Sequence, residues 1–583
     1  MTATAWNEDH WITDWQVSER YPVYTRANAG EVLPDPSSPL NVTLVWNKGL
    51  NVGWRLGNVE TLGTHREDEL DESWPENIGN FAGYHYVCLS AIQIIGARLP
   101  GLTVDTFNRS WVGDHPDLPV YEPKDGDVDP GLTDALAAKS AWAMTTTAYP
   151  EVEETKARAE AARANRPVLA ELSDEELVAR ARSFVPDLVF DYAHHVVTTV
   201  LAMVGPVVAG ELLAGIGEQD SLGVLLSGIG DIDSAAPSFA IWRLGRAVQA
   251  SPALTAAFDE GTAGLLDRLA GESDPSVREF IDGFDDFLFR WGSRAPNEWD
   301  LRSDSWETRP ELALVAIDTV RAAGDGLDPA ISHERNTVLR EKKTAELAAR
   351  MPDDESRQAF LAAAAAITRW MPWRERTKTS CVKAIGEMRA ALYELGDRMV
   401  SRGIITDRHN ITMVTDDELD ALVADPASFR DEIARRLPAY LELFELEPPF
   451  FLTENLPLSQ WPRRTARPVL PVAEGDVLHG VGVSPGTVRG IARIIVDPFE
   501  TGDFAPGDIL IAPQTDPAWT PLFLSAAAVV NNVGSIITHS VIVCRELGLP
   551  CVVAVADATK RIPDGAQIEV DGLAGTVRVV SLP

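Results

Sequence analysis

The segment VVNNVGSIITHSVIVCRELGLPCVV (residues 529–553) decides the fold of the C-terminal part of the chain. Its first residues form an apolar run typical of a buried strand, which ends in a Gly-Ser turn at 534–535. Thr538 and His539 then open a short helix, and the Gly-Leu-Pro sequence at 548–550 ends it before another β-branched run begins. The segment therefore predicts a strand–helix–strand unit in which His539 lies at the start of the helix.

A histidine at the start of a helix lies beside backbone N–H groups that have no helical partner and beside the positive end of the helix dipole. This setting stabilises anions and lowers the pKa of the imidazole, which keeps the ring neutral and nucleophilic. His539 is therefore a candidate to accept a phosphoryl group. The residues alone also allow a second interpretation, in which His539 only caps the helix or packs in the core.

The region around this unit, residues 475–583, has the texture of a compact α/β domain. Short β-branched runs alternate there with Gly, Pro and Asp turns. The predicted strands are 492–496, 509–512, 528–531, 551–555, 567–570 and 577–580, and the predicted helix is 540–547.

The rest of the chain predicts a different architecture. Residues 131–447 have a helical pattern, with capping boxes beginning at Ser173 and Thr415 and a helix start at Asp274 and Pro275. Residues 1–130 are rich in Trp, Gly, Pro and Asn and are less regular. We therefore predict a multidomain protein: a large, mainly α-helical substrate domain (1–447), a proline-rich linker (448–474) and a small C-terminal α/β domain (475–583).

The composition limits the possible functions. The chain has 583 residues, a formal net charge of −36 and 45% hydrophobic residues, so it is a packed protein whose charge opposes binding to nucleic acid or to an anionic membrane. Its four cysteines are scattered, as is typical of reduced buried thiols. Residues 1–10 lack the features of a secretion signal, and the apolar run 196–210 is shorter than a membrane span. These features predict a cytoplasmic location.

The segment around His539 resembles the swivelling phosphohistidine domain of the phosphoenolpyruvate synthase, pyruvate phosphate dikinase and rifampicin phosphotransferase group. The matching positions are Gly534, Thr538, His539, Ile542, Arg545, Glu546, Gly548, Pro550 and Val552. The chain departs from the family pattern at Ser535, where the pattern has a second glycine, and at Val541, Cys544 and Cys551, where it has alanines. The resemblance implies a small swivelling α/β domain in which His539 carries the phosphoryl group.

The remainder of the chain resembles the central domain of rifampicin phosphotransferases. The similar stretches are 26–40, 291–310, 387–404 and 410–419. Residues 374–378 (Arg-Glu-Arg-Thr-Lys) match the Arg-Glu-x-x-Lys motif of that family, in which the Arg and the Lys act on the phosphoryl group during transfer. The resemblance therefore implies catalytic roles for Arg374 and Lys378. On a helix the two cations share a face, and Glu375 would orient them or accept the hydroxyl proton of the substrate.

Five further residues are candidate contacts for substrate or phosphate: Asn28, Glu31, Arg294, Glu298 and Thr538. No metal site is predicted. The adjacent histidines His194 and His195 point apart on a helix and do not suit a shared metal ion.

The sequence has no Gly-x-x-x-x-Gly-Lys-Ser/Thr loop and no recognisable nucleotide-binding half. The resemblance therefore implies that ATP and Mg²⁺ bind a separate ATP-grasp subunit and that this chain alone binds neither. We expect a phosphotransferase subunit that passes the phosphoryl group to a hydrophobic or phenolic hydroxyl, as in an alkylphenol (4-cresol) or phenol phosphorylating synthase. The alternatives are an antibiotic phosphotransferase of the rifamycin type and a non-catalytic phosphohistidine carrier or regulatory protein.

Overall fold

A computed structural model describes residues 15–71, 77–113, 115–294, 296–464, 470–498, 500–516, 519–534 and 538–583. Its contacts divide the chain into two units. Unit 1 comprises Met1–Leu201, Asn297–Ser303 and Arg376–Pro468, and unit 2 comprises Ala202–Pro296, Asp304–Glu375 and Val469–Pro583. The domain boundaries expected at 447 and 475 stay a prediction. The N-terminal residues 1–10 and Ser535 lie outside the described residues.

Unit 1 combines helices with a small antiparallel sheet, whose strands are ordered β2-β3-β1-β4. The strands are β1 Tyr24–Thr25, β2 Ile78–Phe81, β3 Tyr84–Cys88 and β4 Phe451–Leu452. The α-helices are Ala29–Val32, Asn51–Leu56, Leu89–Arg98, Val104–Val112, Pro130–Thr145, Pro150–Ala164, Asp174–Ser183, Val185–Ala202, Leu419–Ala424 and Arg430–Glu442. β4 lies within the predicted linker, so the first part of that proline-rich stretch pairs with β1 of unit 1.

Two helix starts in unit 1 follow the capping chemistry that the sequence predicts. The Ser173 hydroxyl accepts a hydrogen bond from the Glu176 backbone N–H at 3.2 Å, and the Glu176 carboxylate accepts one from the Ser173 N–H at 2.7 Å. Thr415 and Glu418 form the second capping box, which leads into the helix Leu419–Ala424. Each box satisfies two backbone donors that the first turn of a helix leaves without partners.

The helical part of unit 2 contains the α-helices Val204–Gly215, Leu222–Leu225, Ala236–Ala250, Pro252–Asp259, Leu265–Ala270, Pro275–Trp291, Pro310–Arg321 and Pro329–Ala349. Pro275 occupies the first turn of its helix, and the Asp274 carboxylate caps it by accepting a hydrogen bond from the Ser276 N–H at 2.8 Å. Phe280, Phe284 and Phe287 recur at helical spacing and are buried, so one face of this helix faces the core.

The C-terminal part of unit 2 is an eight-stranded sheet with the order β5-β12-β11-β7-β8-β9-β10-β6. The strands are β5 Val477–His479, β6 Val481–Ser484, β7 Thr487–Ile494, β8 Ile509–Ala512, β9 Ala528–Asn531, β10 Cys551–Val553, β11 Gln567–Asp571 and β12 Thr576–Ser581. The helices Thr520–Ser525, His539–Leu547 and Ala558–Arg561 accompany them. A multidomain, largely helical chain with a small C-terminal α/β region confirms the predicted fold class.

The predicted strands agree with the structure where both faces of the sheet are buried. β8 and β9 have the predicted bounds, because their side chains are buried on both faces and leave a continuous apolar run. β7 instead begins five residues before the predicted start at 492. Its first residues include Thr487 and Arg489, and Thr487 is exposed, so no apolar run marks the strand there.

Alternate residues of the central strands face two different cores. Ile509 and Ile511 belong to the apolar core of the sheet itself, whereas Leu510 and Ala512 belong to a core shared with the helices of unit 2. The strands at the two ends of the sheet, β5 and β6, are separated in the chain by Gly480 alone. The sheet therefore curls until its two ends meet. A Cβ at Gly480 would lie 2.4 Å from the Val553 carbonyl oxygen, so only glycine fits this junction.

The apolar run 196–210 falls on two helices, Val185–Ala202 and Val204–Gly215. One stretch of the described chain, Asp174–Gly215, is long and apolar enough to cross a membrane by length and composition. Within its most apolar window, 56% is buried, as in the core helix of a soluble protein, so this single stretch is weak evidence for a span.

Candidate active site

The predicted Arg-Glu-x-x-Lys motif lies in the helix Asp354–Ser401, which has 48 residues. Arg374 and Lys378 are four residues apart in this helix, and side chains at that spacing lie on the same face, one turn apart. The division between the two units falls between Glu375 and Arg376. The surroundings of Arg374 and Glu375 therefore belong to unit 2, and those of Lys378 belong to unit 1.

Glu375 is held from two sides in unit 2. Arg374 Nη1 lies 2.5 Å from Glu375 Oε1, and the Ser234 hydroxyl donates a hydrogen bond to Glu375 Oε2. The Glu375 side chain is 2% exposed and that of Arg374 is 12% exposed. Because both carboxylate oxygens have partners, Glu375 fixes the guanidinium of its neighbour.

Lys378 makes a buried ion pair in unit 1. Its Nζ lies 3.1 Å from Glu298 Oε1, and the two side chains are 10% and 3% exposed. Arg389 Nη2 donates hydrogen bonds to the backbone carbonyls of Glu298 and Asp300, at 3.2 and 2.8 Å, which ties this loop to the long helix. Two sequence candidates, Lys378 and Glu298, are thus in direct contact.

Thr377, the residue before Lys378, connects the motif to a neighbouring helix of unit 1. Its hydroxyl lies 3.2 Å from His195 Nδ1 and 3.0 Å from the Thr198 hydroxyl. His194, the other member of the histidine pair, instead contacts the Tyr149 hydroxyl at 2.6 Å through its Nδ1. The two histidines therefore have separate partners. Among the described residues, no group of three or more His, Cys, Asp and Glu side chains is arranged to hold a metal ion.

An aromatic cluster surrounds Trp299, which directly follows Glu298. The ring of Trp299 lies 6.3 Å from that of Trp46, 6.1 Å from that of Tyr192 and 6.4 Å from that of His195. Trp46 in turn lies 4.7 Å from His85. No sequence motif assigns a role to Trp299. Its position next to a family motif residue was the one signal that pointed to it.

The other candidate residues have different surroundings. Asn28 precedes the short helix Ala29–Val32 with a φ of 61°, and its carbonyl accepts hydrogen bonds from the N–H groups of Glu31 and Val32. Asn28 and Glu31 are half-buried in unit 1, and among the described residues no side-chain hydrogen bond joins Asn28 to Lys378. Arg294 is fully buried in unit 2, where its carbonyl accepts a hydrogen bond from the Trp306 N–H at 3.0 Å.

The helix that begins at His539 has the predicted bounds within one residue, His539–Leu547. Thr538 precedes it in an extended conformation, and its hydroxyl lies 3.3 Å from that of Ser540. Gly548 ends the helix with a φ of 69°, and the Leu549 N–H donates to the Cys544 carbonyl at 2.9 Å. His539 therefore lies in the first turn of this helix, where the backbone N–H groups and the helix dipole provide a positive electrostatic environment.

Two features fix the backbone around this helix. Gly534 has a φ of 147°, and a Cβ there would lie 2.6 Å from the Val553 Cβ, so no other residue fits. Arg545 is buried, and its Nε donates a hydrogen bond to the Val483 carbonyl at 2.9 Å, which ties the helix to β6. Burial lowers the pKa of the Arg545 guanidinium to about 10.

Two family models match the chain. The rifampicin phosphotransferase fourth domain matches residues 194–375, and the mobile domain of PEP-utilising enzymes matches residues 504–575. The first match ends at Glu375 of the motif, and the second includes the helix that begins at His539.

Curated relatives include proteins named rifampicin phosphotransferase, like the first family model. A rifampicin phosphotransferase of a Streptomyces species is 32% identical over 373 residues, which cover 63% of this chain and 42% of that protein. The rifampicin phosphotransferase of Bacillus subtilis is 30% identical, with 51% of this chain and 34% of that protein covered. An uncharacterised phosphotransferase of Bacillus subtilis, YvkC, is 27% identical, with 58% and 41% covered. The chain thus spans less than half the length of the curated relatives it matches.

These matches indicate the class of protein: residues 504–575, which include the helix at His539, are similar to the mobile domain of PEP-utilising enzymes, and the similar proteins are phosphotransferases. Within that class, its helical part is similar to the fourth domain of rifampicin phosphotransferases.

Proposed function

We propose that the chain performs the acceptor half of a phosphohistidine-dependent phosphoryl transfer of the rifampicin phosphotransferase type. His539 receives a phosphoryl group and passes it to a hydroxyl of an organic substrate. The P–N bond to the histidine breaks, an O–P bond to the substrate forms, and the released imidazole nitrogen takes up the hydroxyl proton. The observation that carries this proposal is the joint match of the mobile domain and the fourth domain on one chain, with His539 at the start of a helix.

The proposed roles of the motif follow from the charges on the helix Asp354–Ser401. Arg374 and Lys378 stabilise the negative charge on the phosphoryl group as it transfers, because cations held in place before the reaction lower its barrier. Glu375 orients Arg374 rather than accepting the substrate proton, since both of its oxygens already have partners. Glu298 holds Lys378 in place through the 3.1 Å ion pair. Thr538, Arg294, Asn28 and Glu31 are secondary candidates for contacts with phosphate or substrate.

The substrate that the relatives favour is an antibiotic of the rifamycin type, because several of the similar proteins are rifampicin phosphotransferases. An alkylphenol such as cresol, or phenol itself, is the second candidate. The aromatic cluster of Trp46, Tyr192, His195 and Trp299, which adjoins Glu298, supports it, since aromatic rings beside a few polar groups suit a planar phenol. A carrier that only displays phosphohistidine would have no use for the Arg374 and Lys378 pair.

The phosphoryl donor is the remaining part of the proposal. ATP and Mg²⁺ would bind a nucleotide-binding module of the ATP-grasp type outside these 583 residues, and we expect this module to be a separate subunit. Among the described residues, no acidic cluster suits a Mg²⁺ ion. We expect both components to act in the cytoplasm.

One labelling experiment tests the proposal. The chain is incubated with ATP labelled at the β-phosphate, with and without an ATP-grasp protein, and rifampicin or 4-cresol is then added. By analogy with the family, the β-phosphate is the group that passes through the histidine. We expect acid-labile label on the chain only when the ATP-grasp protein is present, and transfer of that label to rifampicin.

His539→Ala is the test variant, and His479→Ala is the matched control, because His479 is an exposed histidine of the same region. His539→Ala should abolish both labelling and transfer, whereas His479→Ala should leave them intact. Transfer by His539→Ala would refute the proposal. Transfer to 4-cresol instead of rifampicin would select the phenol candidate, and label without any acceptor transfer would support the carrier.

A further inference from the structure

The helix that begins at His539 contains a buried acidic residue, Glu546. We propose that Glu546 is a positioning residue that locks the region 475–583 onto the helical part of unit 2 in one orientation. This inference rests on the proposed function, in which that region carries the phosphoryl group on His539. Glu546 itself touches neither substrate nor phosphate.

Three donors converge on the Glu546 carboxylate. The N–H of Ile229 donates to Oε1 at 2.8 Å, and the N–H of Gly230 donates to Oε2 at 3.1 Å. His333 Nδ1 also lies 3.1 Å from Oε2. The Glu546 side chain is only 4% exposed, so this carboxylate is removed from water and depends on these partners.

The backbone that provides the two N–H groups depends on two glycines, Gly228 and Gly230. Gly228 and Gly230 have positive φ angles of 59° and 80°. A Cβ at Gly228 would lie 2.5 Å from the Thr337 backbone nitrogen, so glycine alone allows the loop to approach the helix Pro329–Ala349. Successive backbone N–H groups held in this way form a concave site for an anion.

The loop 227–230 and the helix Pro329–Ala349 form a socket for the Glu546 carboxylate. Further hydrogen bonds connect the two and join the helix to the residue next to Glu546. Asn336 Nδ2 donates a hydrogen bond to the Arg545 carbonyl at 3.2 Å, beside Glu546. The Thr337 hydroxyl donates to the Gly228 carbonyl at 2.8 Å, and the guanidinium of Arg340 donates to the Ser227 carbonyl at 3.2 Å. Arg340 also attracts Glu546 electrostatically. The loop and its helix therefore form a prebuilt receptor for one carboxylate.

A second contact between the two parts of unit 2 is apolar. The helix Thr520–Ser525 packs on the helices Ala236–Ala250 and Pro310–Arg321, and Phe523 is fully buried there. Burial of apolar surface is favourable but non-directional. A carboxylate with three directional donors fixes the register of the contact, which apolar packing alone leaves loose.

Glu546 is well placed to set the position of His539. Both residues lie in the helix His539–Leu547, and seven residues of an α-helix span ~10 Å. A rigid helix held at its last turn has its first turn held as well. Loss of the lock should therefore change where the phosphohistidine points without changing the histidine itself.

The test variant is Glu546→Gln. Its amide keeps the size of the side chain but presents an NH₂ group to one of the backbone N–H donors, so at least one hydrogen bond is replaced by repulsion. Glu569→Gln is the matched control, because Glu569 pairs with Arg489 across β11 and β7. His333→Ala removes one donor from the opposite side and serves if Glu546→Gln does not fold.

The first measurement reports docking without any phosphoryl chemistry. Spin labels are placed on V496C and V338C, two exposed positions on the two parts of unit 2, while the four native cysteines are buried. Pulsed electron–electron double resonance should give one narrow distribution of label-to-label distances for the parent and for Glu569→Gln. Glu546→Gln and His333→Ala should add a second, longer distance. Unchanged distributions in both variants would overturn the proposal, whatever the chain does with ATP.

The second measurement separates loading from transfer. We expect Glu546→Gln to accept label on His539 at the parental rate and to pass it to the substrate ~10-fold more slowly, since a charge-assisted hydrogen bond is lost. Equal slowing of both steps would indicate general damage and contradict the positioning role. If the parent itself takes no label, the proposed function fails while the distance measurement still decides the role of Glu546.

Discussion

Lys378 and Glu298 form a buried ion pair with 3.1 Å between Nζ and Oε1, although 79 residues separate them in the sequence. The loop that carries Glu298 is fixed at its other end by Asp300, whose carboxylate accepts hydrogen bonds from the hydroxyls of Ser37 and Ser38 at 2.8 and 3.1 Å. The position of the motif lysine in unit 1 thus depends on residues from three distant stretches of sequence.

Breaking this pair should be costly. Removing one partner leaves a buried charge without compensation, so Glu298→Gln and Lys378→Met should each lower the free energy of unfolding of unit 1 by about 3 kcal/mol. The double variant should lose less than the sum, because the uncompensated charge is gone. Urea denaturation of the three variants measures this coupling, and strictly additive losses would show that the two side chains do not interact.

Arg374 should matter for transfer and not for loading. Removing a cation that stabilises a developing phosphoryl charge typically costs ~100-fold in rate, so Arg374→Ala should slow the transfer of label from the chain to the acceptor by that factor. Arg376→Ala is the control from the same run, because Arg376 instead pairs with Glu153 at 2.8 Å. Comparable losses in both variants would mean that the total positive charge of residues 374–378, and not Arg374 in particular, determines the rate of transfer.

Two buried histidines should make unit 1 sensitive to acid. Burial lowers the pKa of His65 to about 4 and that of His85 to about 3, whereas both rings have a pKa near 6.5 when exposed. Between pH 6.5 and 4 the unfolded chain therefore binds protons that the folded chain does not, and stability falls as the pH falls. Each histidine should contribute a loss of about 2 kcal/mol between pH 7 and 5.

His65→Gln tests this pH dependence. We expect the difference in unfolding free energy between pH 7 and pH 5 to shrink by about 2 kcal/mol in this variant and by about twice that in the His65→Gln, His85→Gln double variant. The difference between the two pH values is the readout, so a change in stability at pH 7 alone does not affect the conclusion. An unaltered difference in the double variant would exclude these rings as the source.

Arg98 should be irreplaceable by lysine. Its guanidinium donates to both carboxylate oxygens of Glu69 at 2.7 Å and to the carbonyls of Thr64, Gly126 and Asp127. Lysine cannot reproduce this fork of donors, so Arg98→Lys should destabilise unit 1 by about 3 kcal/mol. Arg435→Lys, at a far more exposed pair with Glu432, should change stability by less than about 1 kcal/mol. Thermal denaturation of the two variants checks the contrast.

Gly534 should be essential for the turn that leads to His539. Gly534→Ala combines an unfavourable φ with a 2.6 Å approach to Val553, so we expect a loss of more than about 2 kcal/mol and poor labelling of His539. Gly502→Ala is the control, because Gly502 has a φ of 54° but open space around its Cβ position. It should cost only about 1 kcal/mol and leave labelling intact. Circular dichroism and the labelling assay measure the two effects.

The sequence predicted those parts of the fold that local chemistry determines. The strands 509–512 and 528–531 appeared as apolar runs, and the helix starts at Ser173 and Pro275 appeared as capping signals, because these patterns depend on near neighbours alone. The strands β5 and β6 were not predicted. They have only three and four residues, and β6 contains Gly482, so neither forms an apolar run or an alternation long enough to mark a strand.

The candidate site was predictable only in part, for the same reason. Arg374, Lys378 and His539 belong to short motifs that carry a family resemblance. The role of Glu298 as the partner of Lys378 and the socket for Glu546 arise from contacts between residues far apart in sequence, and a single sequence does not record such pairs. The candidates Asn28 and Arg294 stay predictions.

The junction of the two terminal strands at Gly480 has a consequence for the region that carries His539. An open sheet ends in rows of unpaired backbone groups, which recruit strands from other molecules and promote aggregation. Here the two terminal strands, β5 and β6, have three and four residues and adjoin each other in the chain at Gly480. Edge strands this short offer another copy of the chain little backbone with which to pair.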